Sequence, residues 1–504
     1  MEARKRFFYN GIMLTLVGLA IRTVSLFFNA FVTRAVGSEA VGLYTLIMTV
    51  YGFAVTLATS GISLTVTRLV AAAQGEGRDD EVGSILSGAV AYTLAFSLLA
   101  TAVLYMGAEP IAAKMLGDGR AAVSLRILAP SLIPLSMISV FSGYFIGVRR
   151  VACNATVQIL GQAFKISATV WLVLRAIPMD ARDAAVSLSL GTTLTEVLCF
   201  VVVFIEFVIE RKGIRKPSSP AVRPVAKMAI PLAVSAYIRQ ALLTLEHVLI
   251  PHRLQRYGKT LSESLSAYGI LHGMALPTVL YPMVILSSFS GLLVPEFAER
   301  EAKGEAESMR RLASRTFEAT MTYATAAAVM LLIFSEELGY VIYSSGDAGR
   351  FIAVLAPIVP IMYLDHVTDS MLKGIGEQVY SMWVNITDSL LSVALIWILL
   401  PKMGIMGYAV CIIAMEAYNF ILSGARLFSK IRFRISIRRS FVYPAFSSFV
   451  AALLTKRIFI SAGASTEWLW LVLEMIFTVC ILTAVYKALC IWQERKRLSQ
   501  SCDN

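Results

Sequence analysis

The sequence predicts an all-α membrane protein with about fourteen transmembrane helices, arranged as two homologous six-helix lobes followed by two C-terminal helices. Three observations predict this fold class. The chain of 504 residues is 57% hydrophobic and only 15% charged, with a mean hydropathy of +0.71, whereas soluble domains are about half apolar and a quarter charged. Apolar stretches of about 18 or more residues recur along the whole chain. Short motifs of the first half return in the second half.

The apolar stretches define the transmembrane spans, because each could cross roughly 30 Å of hydrocarbon as a helix. In chain order they cover 8–33, 41–72, 83–107, 121–148, 154–176, 184–209, 225–250, 265–294, 317–343, 350–372, 379–400, 404–428, 442–462 and 467–492. The first stretch follows the basic segment MEARKR and is too long for the apolar region of a secretory signal peptide. We therefore expect it to remain in the mature protein.

Four motifs of the first half recur in the same order in the second half. The pairs are Ile21-Arg22 with Ile238-Arg239, EAVGLY (39–44) with ESLSAY (263–268), LAP (128–130) with LAP (355–357), and Gly147 with Gly374. The spacing between partners rises slowly along the chain, as loop insertions between equivalent helices would produce. The recurrence predicts two homologous halves of six spans each, with spans thirteen and fourteen appended.

The repeat sets the expected domain organisation. It consists of an N-terminal lobe (1–209), a cytoplasmic interlobe linker (210–224), a C-terminal lobe (225–428) and an appended pair of spans with a cytoplasmic tail (429–504). The linker is basic and carries three prolines, which favour a loop. Two even-numbered halves share one orientation, so they are related by an axis along the membrane normal, with a substrate path between them. We expect alternating access by rocking of the lobes.

The distribution of Lys and Arg predicts the orientation. Basic residues collect in loops on one side of the membrane, in MEARKR at the N-terminus, VRR (148–150), 210–223, 309–315, 430–439 and 494–497. By the positive-inside rule both termini are cytoplasmic in a multi-pass plasma-membrane protein. The net charge of +12 then reflects topology and contact with anionic membrane lipids. No basic soluble domain is apparent, so we expect no nucleic-acid partner.

A family resemblance is carried by several long segments. They are TRAVGSEAVGLYTL (33–46), LATSGISLTVTRLVA (57–71), LAPSLIPLSMISVFSGYFIGVRR (128–150) and ATVQILGQAFKI (155–166). Together they resemble the stage V sporulation protein B group of polysaccharide-exporter-like membrane proteins. This group belongs to the multidrug/oligosaccharidyl-lipid/polysaccharide (MOP) superfamily, with the MATE drug exporters and the lipid II flippases. The resemblance covers spans one to five and, through the repeat, much of spans seven to eleven.

The resemblance implies a flippase of a bacterial plasma (inner) membrane. Its substrate would be an isoprenoid-diphosphate-linked saccharide, a peptidoglycan or polysaccharide precursor, moved from the cytoplasmic to the outer leaflet. Sporulation is the context of the nearest branch, and cell-wall synthesis proteins would be further partners. Spans thirteen and fourteen favour this substrate, because saccharide-lipid flippases often carry two spans more than the MATE exporters.

Arginines within the spans are the first candidate substrate-binding residues. A charge at a helix centre costs about 2.5 to 3.5 kcal/mol on insertion scales, so Arg22 should face a polar cavity. A diphosphate suits its planar guanidinium, and the repeat-related Arg239 could share the same headgroup. The alternative for Arg22 is a structural ion pair with Glu196 or Glu246. Arg34 is a third candidate, although its place near the outer end of its span also suits contact with lipid headgroups.

One departure from the lipid II flippases concerns the same first span. Their pattern has arginines at the positions of Arg22 and Arg34 and a further one six residues before Arg34. Here that middle position is Phe28. The departure favours the broader class of saccharide-lipid substrates over lipid II itself.

Span five adds two candidate substrate-binding residues. Gln158, Gln162 and Lys165 are spaced by four and three residues, so they share one helical face. That face should look inward, with Gln162 and Lys165 lining the substrate path. The alternative is hydrogen bonding between helices, which glutamines often provide in membranes.

Acidic and amide side chains within the spans are the candidate coupling residues. They are Glu246 in span seven beside His247, Asp365 and Asp369 in span ten, and Asn385 and Asp388 in span eleven, with Glu416 and Asn419 similarly spaced in span twelve. Hard oxygen ligands inside a lobe suit Na⁺ or H⁺ coupling, and a carboxylate beside an imidazole suits a proton. Alternatively, these residues cap helix ends or pair with buried cations.

No pattern in the sequence indicates an enzyme. The six cysteines form no CxxC pair, the four histidines lack metal-ligand spacing, and neither a nucleophile elbow nor a phosphate loop is present. We therefore expect no catalytic residues, no metal site and no cofactor other than a coupling ion. The alternative function is a cation-coupled, MATE-type exporter of organic cations, which the acids of spans ten to twelve keep open. A membrane scaffold that recruits wall-synthesis enzymes is a third alternative.

Overall fold

The computed structural model describes residues 2–59, 61–76, 78, 80–148, 150–176, 180–210, 219–461 and 468–502. This part of the chain is helical and contains no strand. It divides into two compact units, residues 1–269 and 270–504. Most of the expected interlobe linker, 211–218, lies outside the described residues. The boundary between homologous halves at 210–224 stays a prediction, because a division by packing does not test ancestry.

Among its described residues, the first unit contains ten α-helices. They are α1 (Glu2–Thr59), α2 (Ile62–Gly75), α3 (Glu81–Met106), α4 (Ala108–Pro110), α5 (Ala121–Leu128), α6 (Leu132–Gly147), α7 (Val151–Ala176), α8 (Ala181–Glu210), α9 (Val222–Arg256) and α10 (Leu261–Gly269). Gly37 interrupts α1 with a φ of 83°, a left-handed conformation that glycine adopts without a steric penalty. The two predicted spans before and after Gly37 therefore meet at a kink.

The core of the first unit lies where α2, α3, α6 and α8 pack together. Val66, Ala89, Phe145 and Val203, one from each helix, are fully buried there. These helices place apolar side chains inward at helical spacing, which is how a membrane bundle packs. The core therefore fixes the spans of this unit relative to one another.

The part of the second unit that the structure describes contains ten further α-helices. They are α11 (Leu276–Leu280), α12 (Met283–Ala302), α13 (Ala306–Ile333), α14 (Ser335–Tyr343), α15 (Gly346–Leu355), α16 (Val359–Gly374), α17 (Gln378–Met403), α18 (Ile405–Ile431), α19 (Tyr443–Ser461) and α20 (Trp468–Cys502). α16 packs against α12, α13 and α18, while α17 packs on α18. α19 lies between α13 and α20. α16 is therefore the central helix of this unit.

Both copies of the LAP motif have the same local structure. A 3₁₀ turn at Ala129–Ser131 separates α5 from α6, and another at Ala356–Ile358 separates α15 from α16. Proline has no N–H and clashes with the preceding turn, which explains the break in the regular ladder at Pro130 and Pro357. The regular helix is therefore interrupted at the proline of each copy.

Eleven helices of the described chain are long and apolar enough to cross a membrane. The first of these segments, Gly18–Gln74, covers predicted spans one and two. Predicted spans eight and thirteen are helical but are not among the eleven helices that are long and apolar enough to cross a membrane. The first is broken around Pro277 and Pro282, and the second carries Lys456 and Arg457. The all-helical membrane fold is thus confirmed, while the count of fourteen stays a prediction.

Candidate functional site

A polar cavity of about 220 Å³ lies inside the second unit. Its polar lining consists of Asp365, His366, Asp369, Asn385, Glu416, Asn419 and Ser423, and its apolar lining of Leu280, Met283, Met362 and Val384. The polar side chains come from α16, α17 and α18, each of which is a candidate membrane span. Such a concentration of ionisable groups within spans marks a functional site.

Helical spacing brings these side chains to one point. On α16, Asp365 and Asp369 are four residues apart, and on α18, Glu416 and Asn419 are three apart, so each pair shares a face. α16 packs against α18, which turns the two faces toward each other. The 3₁₀ turn at Ala356–Ile358 precedes α16 and sets where its polar face begins.

Several polar atoms at the cavity have no hydrogen-bond partner among the described residues. They are Asp365 Oδ1, His366 Nε2 and Asn419 Oδ1, all buried. A buried polar group without a partner is unfavourable in hydrocarbon and is normally satisfied by water, an ion or a ligand. By contrast, the Asn385 amide donates to Ser381 O at 2.8 Å. The cavity therefore offers oxygen and nitrogen atoms that are available to a small polar species.

The charge at the cavity is negative. Asp388 and Glu416 both lie close enough to Asp365 to interact with it electrostatically. Asp369 is compensated, because Lys373 Nζ lies 2.5 Å from its Oδ2. In the described residues, no three His, Cys, Asp or Glu side chains are placed to hold a metal ion. The arrangement therefore suits a proton or a monovalent cation with amide and hydroxyl ligands as well as carboxylates.

Sequence patterns identified most of this lining but not all of it. Asp365, Asp369 and Asn385 were predicted as coupling residues and line the cavity, and Asp388 lies beside it. His366 and Ser423 were missed. The available signal for His366 was an ionisable residue directly after an aspartate within a span. Ser423 gave no signal, because serines are common within membrane helices.

The predicted substrate-binding arginines lie on spans of the first unit. Arg22 and Arg34 are on α1 and Arg239 is on α9, and all three side chains are exposed. Arg22 and Arg239 form no ion pair with the described residues, so the alternative pairing of Arg22 with Glu196 or Glu246 is not observed. The exposed guanidinium groups of Arg22 and Arg239 are open to an anionic ligand.

Lys165 was expected to face the substrate path, but it lies near an acidic side chain of the neighbouring helix. It is half-buried on α7, as is Gln162, and it lies within electrostatic range of Glu196 on α8. α7 and α8 pack along their lengths, which explains why these charges meet. Gln162 and Lys165 therefore lie on the face of α7 near α8, and their role in binding stays a prediction.

The pair Glu246 and His247 lies on α9 at the contact with α10. His247 Nδ1 is 2.8 Å from the hydroxyl of Tyr268, which is fully buried. Glu246 is half-buried. The hydrogen bond to Tyr268 fixes the orientation of the His247 ring. His247 therefore has a structural role between α9 and α10, and proton coupling by Glu246 stays a prediction.

Comparison with known families identifies the class of the chain. Residues 7–301 match the family model described as "Polysaccharide biosynthesis protein", and residues 257–398 match the MatE model. The chain is 24% identical over 476 residues to "Stage V sporulation protein B" of Bacillus subtilis (strain 168), with 92% of each protein covered. It is 18% identical to "Sporulation protein YkvU" of the same organism, covering 78% of this chain and 88% of that protein. The resemblance found in the sequence is confirmed.

Solved structures show the same fold. The lipid II flippase MurJ in an inward closed conformation covers 95% of this chain and 98% of its own, with a TM-score of 0.71 and 13% identity. An inward-facing MATE family multidrug transporter of the MOP superfamily covers 82% of this chain and 98% of its own, with a TM-score of 0.67 and 14% identity. The fold is therefore that of multi-span membrane transporters. The proteins of these two structures are named as a flippase and a transporter.

Proposed function

The chain belongs to the polysaccharide biosynthesis protein family, and from this premise we propose that it is a flippase for an isoprenoid-diphosphate-linked saccharide. The saccharide would be a peptidoglycan or polysaccharide precursor, moved across the bacterial plasma membrane by alternating access. Both termini would be cytoplasmic, as the positive-inside rule predicts. Sporulation and contact with cell-wall synthesis proteins are the proposed context, supported by the likeness to stage V sporulation protein B.

The observation that carries the proposal is the pair of exposed arginines within spans, Arg22 and Arg239. A permanent charge in hydrocarbon is unfavourable unless it meets a counter-charge or water. A diphosphate supplies several acceptor oxygens, and the guanidinium fork can bind two of them at once. An uncharged or cationic substrate would leave both arginines unsatisfied. Arg34, Lys165 and Gln162 are proposed as further contacts to the headgroup and saccharide.

The extent of the structural match also supports a lipid-linked substrate. MurJ covers 95% of this chain, whereas the MATE transporter covers 82%. The difference in coverage corresponds to a length close to that of α19 and α20 together. These two helices correspond to predicted spans thirteen and fourteen, which a MATE exporter of twelve spans lacks. Additional lipid-facing helices would provide a surface for the long isoprenoid tail of a lipid-linked substrate.

The cavity in the second unit is the proposed site of ion coupling. Its unpartnered Asp365 and Asn419 oxygens and its negative charge favour Na⁺ or H⁺ over an anionic ligand. Transport of a dianionic headgroup and binding of a cation would then occur in different parts of the protein. Glu246 in the first unit is a second proposed proton carrier.

The alternative function is MATE-type export of organic cations. The acid-lined cavity favours it, as does the MatE match over residues 257–398. The cavity is small, however, because about 220 Å³ lies below the range of about 300 to 1,000 Å³ that drug-sized ligands need. The cavity thus fits an ion better than a drug.

Binding of a fluorescent undecaprenyl-diphosphate saccharide to the full-length protein in nanodiscs tests the function. We expect saturable binding in the wild type, loss of about tenfold or more in Arg22→Ala and Arg239→Ala, and partial recovery in Arg22→Lys. Organic cations should not compete. Arg256→Ala, at an exposed helix end, is the matched control and should bind normally. Wild-type binding that survives both alanine variants, or that organic cations displace, would contradict the proposal.

A further inference from the structure

The segment that follows α18 is fixed to one face of α13. Four contacts hold it. Arg310 Nε donates to Ile431 O at 3.2 Å, Ser314 Oγ to Arg434 O at 2.6 Å, Ser436 N to Glu318 Oε1 at 2.8 Å, and Thr322 Oγ1 to Ser440 O at 3.5 Å. The four residues of α13 are spaced by four, so they form one row along the helix. The segment 431–440 is therefore held in one conformation although residues 432–436 are not helical.

Side chains of this segment alternate between core and surface. Ile431 and Phe433 are buried, and the ring of Phe433 stacks on that of Phe428 with the centroids 4.4 Å apart. Arg432 and Arg434 are exposed. Arg432 ends α18 in a left-handed conformation, with a φ of 50°, and residues 432–436 are not helical. The side chains of Arg432 and Arg434 therefore lie on the surface of the protein.

Arg438 extends the same surface, and we name Arg432, Arg434 and Arg438 the basic patch. All three side chains are exposed and form no ion pair with the described residues. The neighbouring carboxylate of Glu318 already accepts the backbone N–H of Ser436. The patch therefore has a net positive charge that groups within the described chain do not neutralise.

The basic patch borders directly on exposed apolar side chains. Ile437 is 63% exposed, Phe441 40% and Phe446 58%. They lead into α19, which packs between α13 and α20. A surface that changes from arginine to large apolar residues within one turn is typical of the boundary between lipid headgroups and hydrocarbon. The patch thus lies at the depth of the lipid phosphates.

We infer that the basic patch is a binding site for the phosphate groups of anionic phospholipids in the adjacent leaflet. Arginine binds phosphate oxygens bidentately. The contacts to α13 order the segment in advance, so lipid binding does not have to order it. The apolar border favours a lipid over a nucleic acid or an acidic protein, because neither of these would cover Ile437 and Phe441 with hydrocarbon.

The test measures binding of phosphatidylglycerol to the full-length protein in detergent micelles, with phosphatidylcholine as the neutral comparison. A photo-crosslinkable phosphatidylglycerol should label residues 431–446 of the wild type. The triple variant Arg432→Gln, Arg434→Gln, Arg438→Gln should bind phosphatidylglycerol about 100-fold more weakly, since each basic residue near an anionic surface contributes on the order of a tenfold effect or less. Phosphatidylcholine binding should not change.

The matched control removes three exposed arginines elsewhere, in Arg182→Gln, Arg256→Gln, Arg350→Gln. It has the same net charge as the test variant and should bind phosphatidylglycerol as the wild type does. An equal loss in both triple variants, crosslinks that fall outside 431–446, or displacement of the lipid by RNA would overturn the inference. If the test variant does not fold, the positions of the crosslinks in the wild type test the inference, because labelling within 431–446 supports it and labelling elsewhere contradicts it.

Discussion

Gly42 and Gly269 are in backbone contact where α1 crosses α10, because a Cβ added to Gly269 would lie 2.7 Å from Gly42 N. One helical turn away, the hydroxyl groups of Ser38 and Ser266 are 2.6 Å apart. Helices in a membrane are not driven together by the hydrophobic effect, because lipid tails are as apolar as their surfaces. Small residues let the helices approach closely, so that van der Waals contacts and hydrogen bonds hold them together. The motif EAVGLY (39–44) supplies Gly42 and its counterpart ESLSAY (263–268) supplies Ser266, while Ser38 and Gly269 are directly adjacent to the motifs. Two repeat-related segments therefore pack on each other.

The first prediction concerns this crossing. Gly269→Ala should destabilise the protein by about 1 to 3 kcal/mol, because the methyl group overpacks a backbone contact. The control is Gly18→Ala, where a Cβ would meet nothing within 4 Å and alanine is the better helix former. Thermal unfolding in detergent should show a lower Tm for Gly269→Ala and an unchanged or higher Tm for Gly18→Ala. A similar Tm for the two variants would contradict the crossing.

Much of the fold follows from the sequence, because membrane spans carry a strong local signal. Long apolar stretches and the positions of Pro130 and Pro357 predict helices and kinks that the structure contains. Residues 265–294 were predicted as one span, but they contain the end of α10, a π-helix at Ile270–Ala275, α11 and part of α12. The hydropathy of this region is that of a continuous span. The interruption of the helix was not predicted, because it depends on how the region packs against other helices and hydropathy contains no information about packing.

The second prediction concerns pH. Glu377, in the turn between α16 and α17, has a pKa lowered from its ordinary value by contacts with Lys430 and Arg426, at 2.7 Å and 2.9 Å. Its ionised form therefore stabilises the fold above the unfolded pKa of about 4.3, and this stabilisation is lost as the pH falls through the lower, folded pKa. The Tm of the wild type should exceed that of Glu377→Gln at pH 7, and the two should converge in acid.

The control for this prediction is Glu301→Gln, which removes an exposed carboxylate of the same unit. Its Tm should follow that of the wild type from pH 7 into acid. A gap between the wild type and Glu377→Gln that stays constant as the pH falls from 7 into acid would show that the ion pairs are not its cause.

The third prediction tests the cavity. If Asp365 and Glu416 hold the coupling ion, the wild type should gain thermal stability from Na⁺ at constant pH or transport in response to a proton gradient. A ligand at 100 times its Kd stabilises the folded state by about 2.7 kcal/mol. Asp365→Asn and Glu416→Gln should lose whichever response the wild type shows. Asp347→Asn, an exposed carboxylate of the same unit, should keep it. A wild type that responds to neither ion would exclude coupling here.

The cavity also marks the limit of inference from sequence. Spacing of three or four residues correctly placed each pair of polar groups on one face, as for Asp365 with Asp369. It did not indicate which faces meet, because that depends on how α16 packs against α18. For the same reason, the electrostatic interaction between Lys165 and Glu196 was not anticipated, and Glu196 was considered only as a partner of Arg22.

The last prediction concerns the attachment of the appended helices. Lys456 on α19 lies 2.6 Å from Glu337 Oε1 on α14 and 2.7 Å from Ile333 O, and its ammonium is 5.4 Å from the centre of the Phe334 ring. Both charged side chains are about two-thirds or more buried, with exposures of 27% and 31%. Lys456→Met leaves Glu337 without its cation, so it should destabilise the protein by about 1 to 3 kcal/mol. Glu337→Gln should destabilise it less, since Lys456 keeps the backbone carbonyl.

A double-mutant cycle separates this pair from general packing effects. The combined variant Lys456→Met, Glu337→Gln should be more stable than the sum of the single effects predicts, with a coupling energy of about 0.5 to 3 kcal/mol. The matched cycle uses Arg350 and Asp347, a pair at 3.4 Å with exposures of 83% and 61%, where screening by water should reduce the coupling to about 0.2 to 1 kcal/mol. Equal coupling in the two cycles would mean that the Lys456 pair is no more than a surface contact, and that apolar packing alone attaches α19 to the second unit.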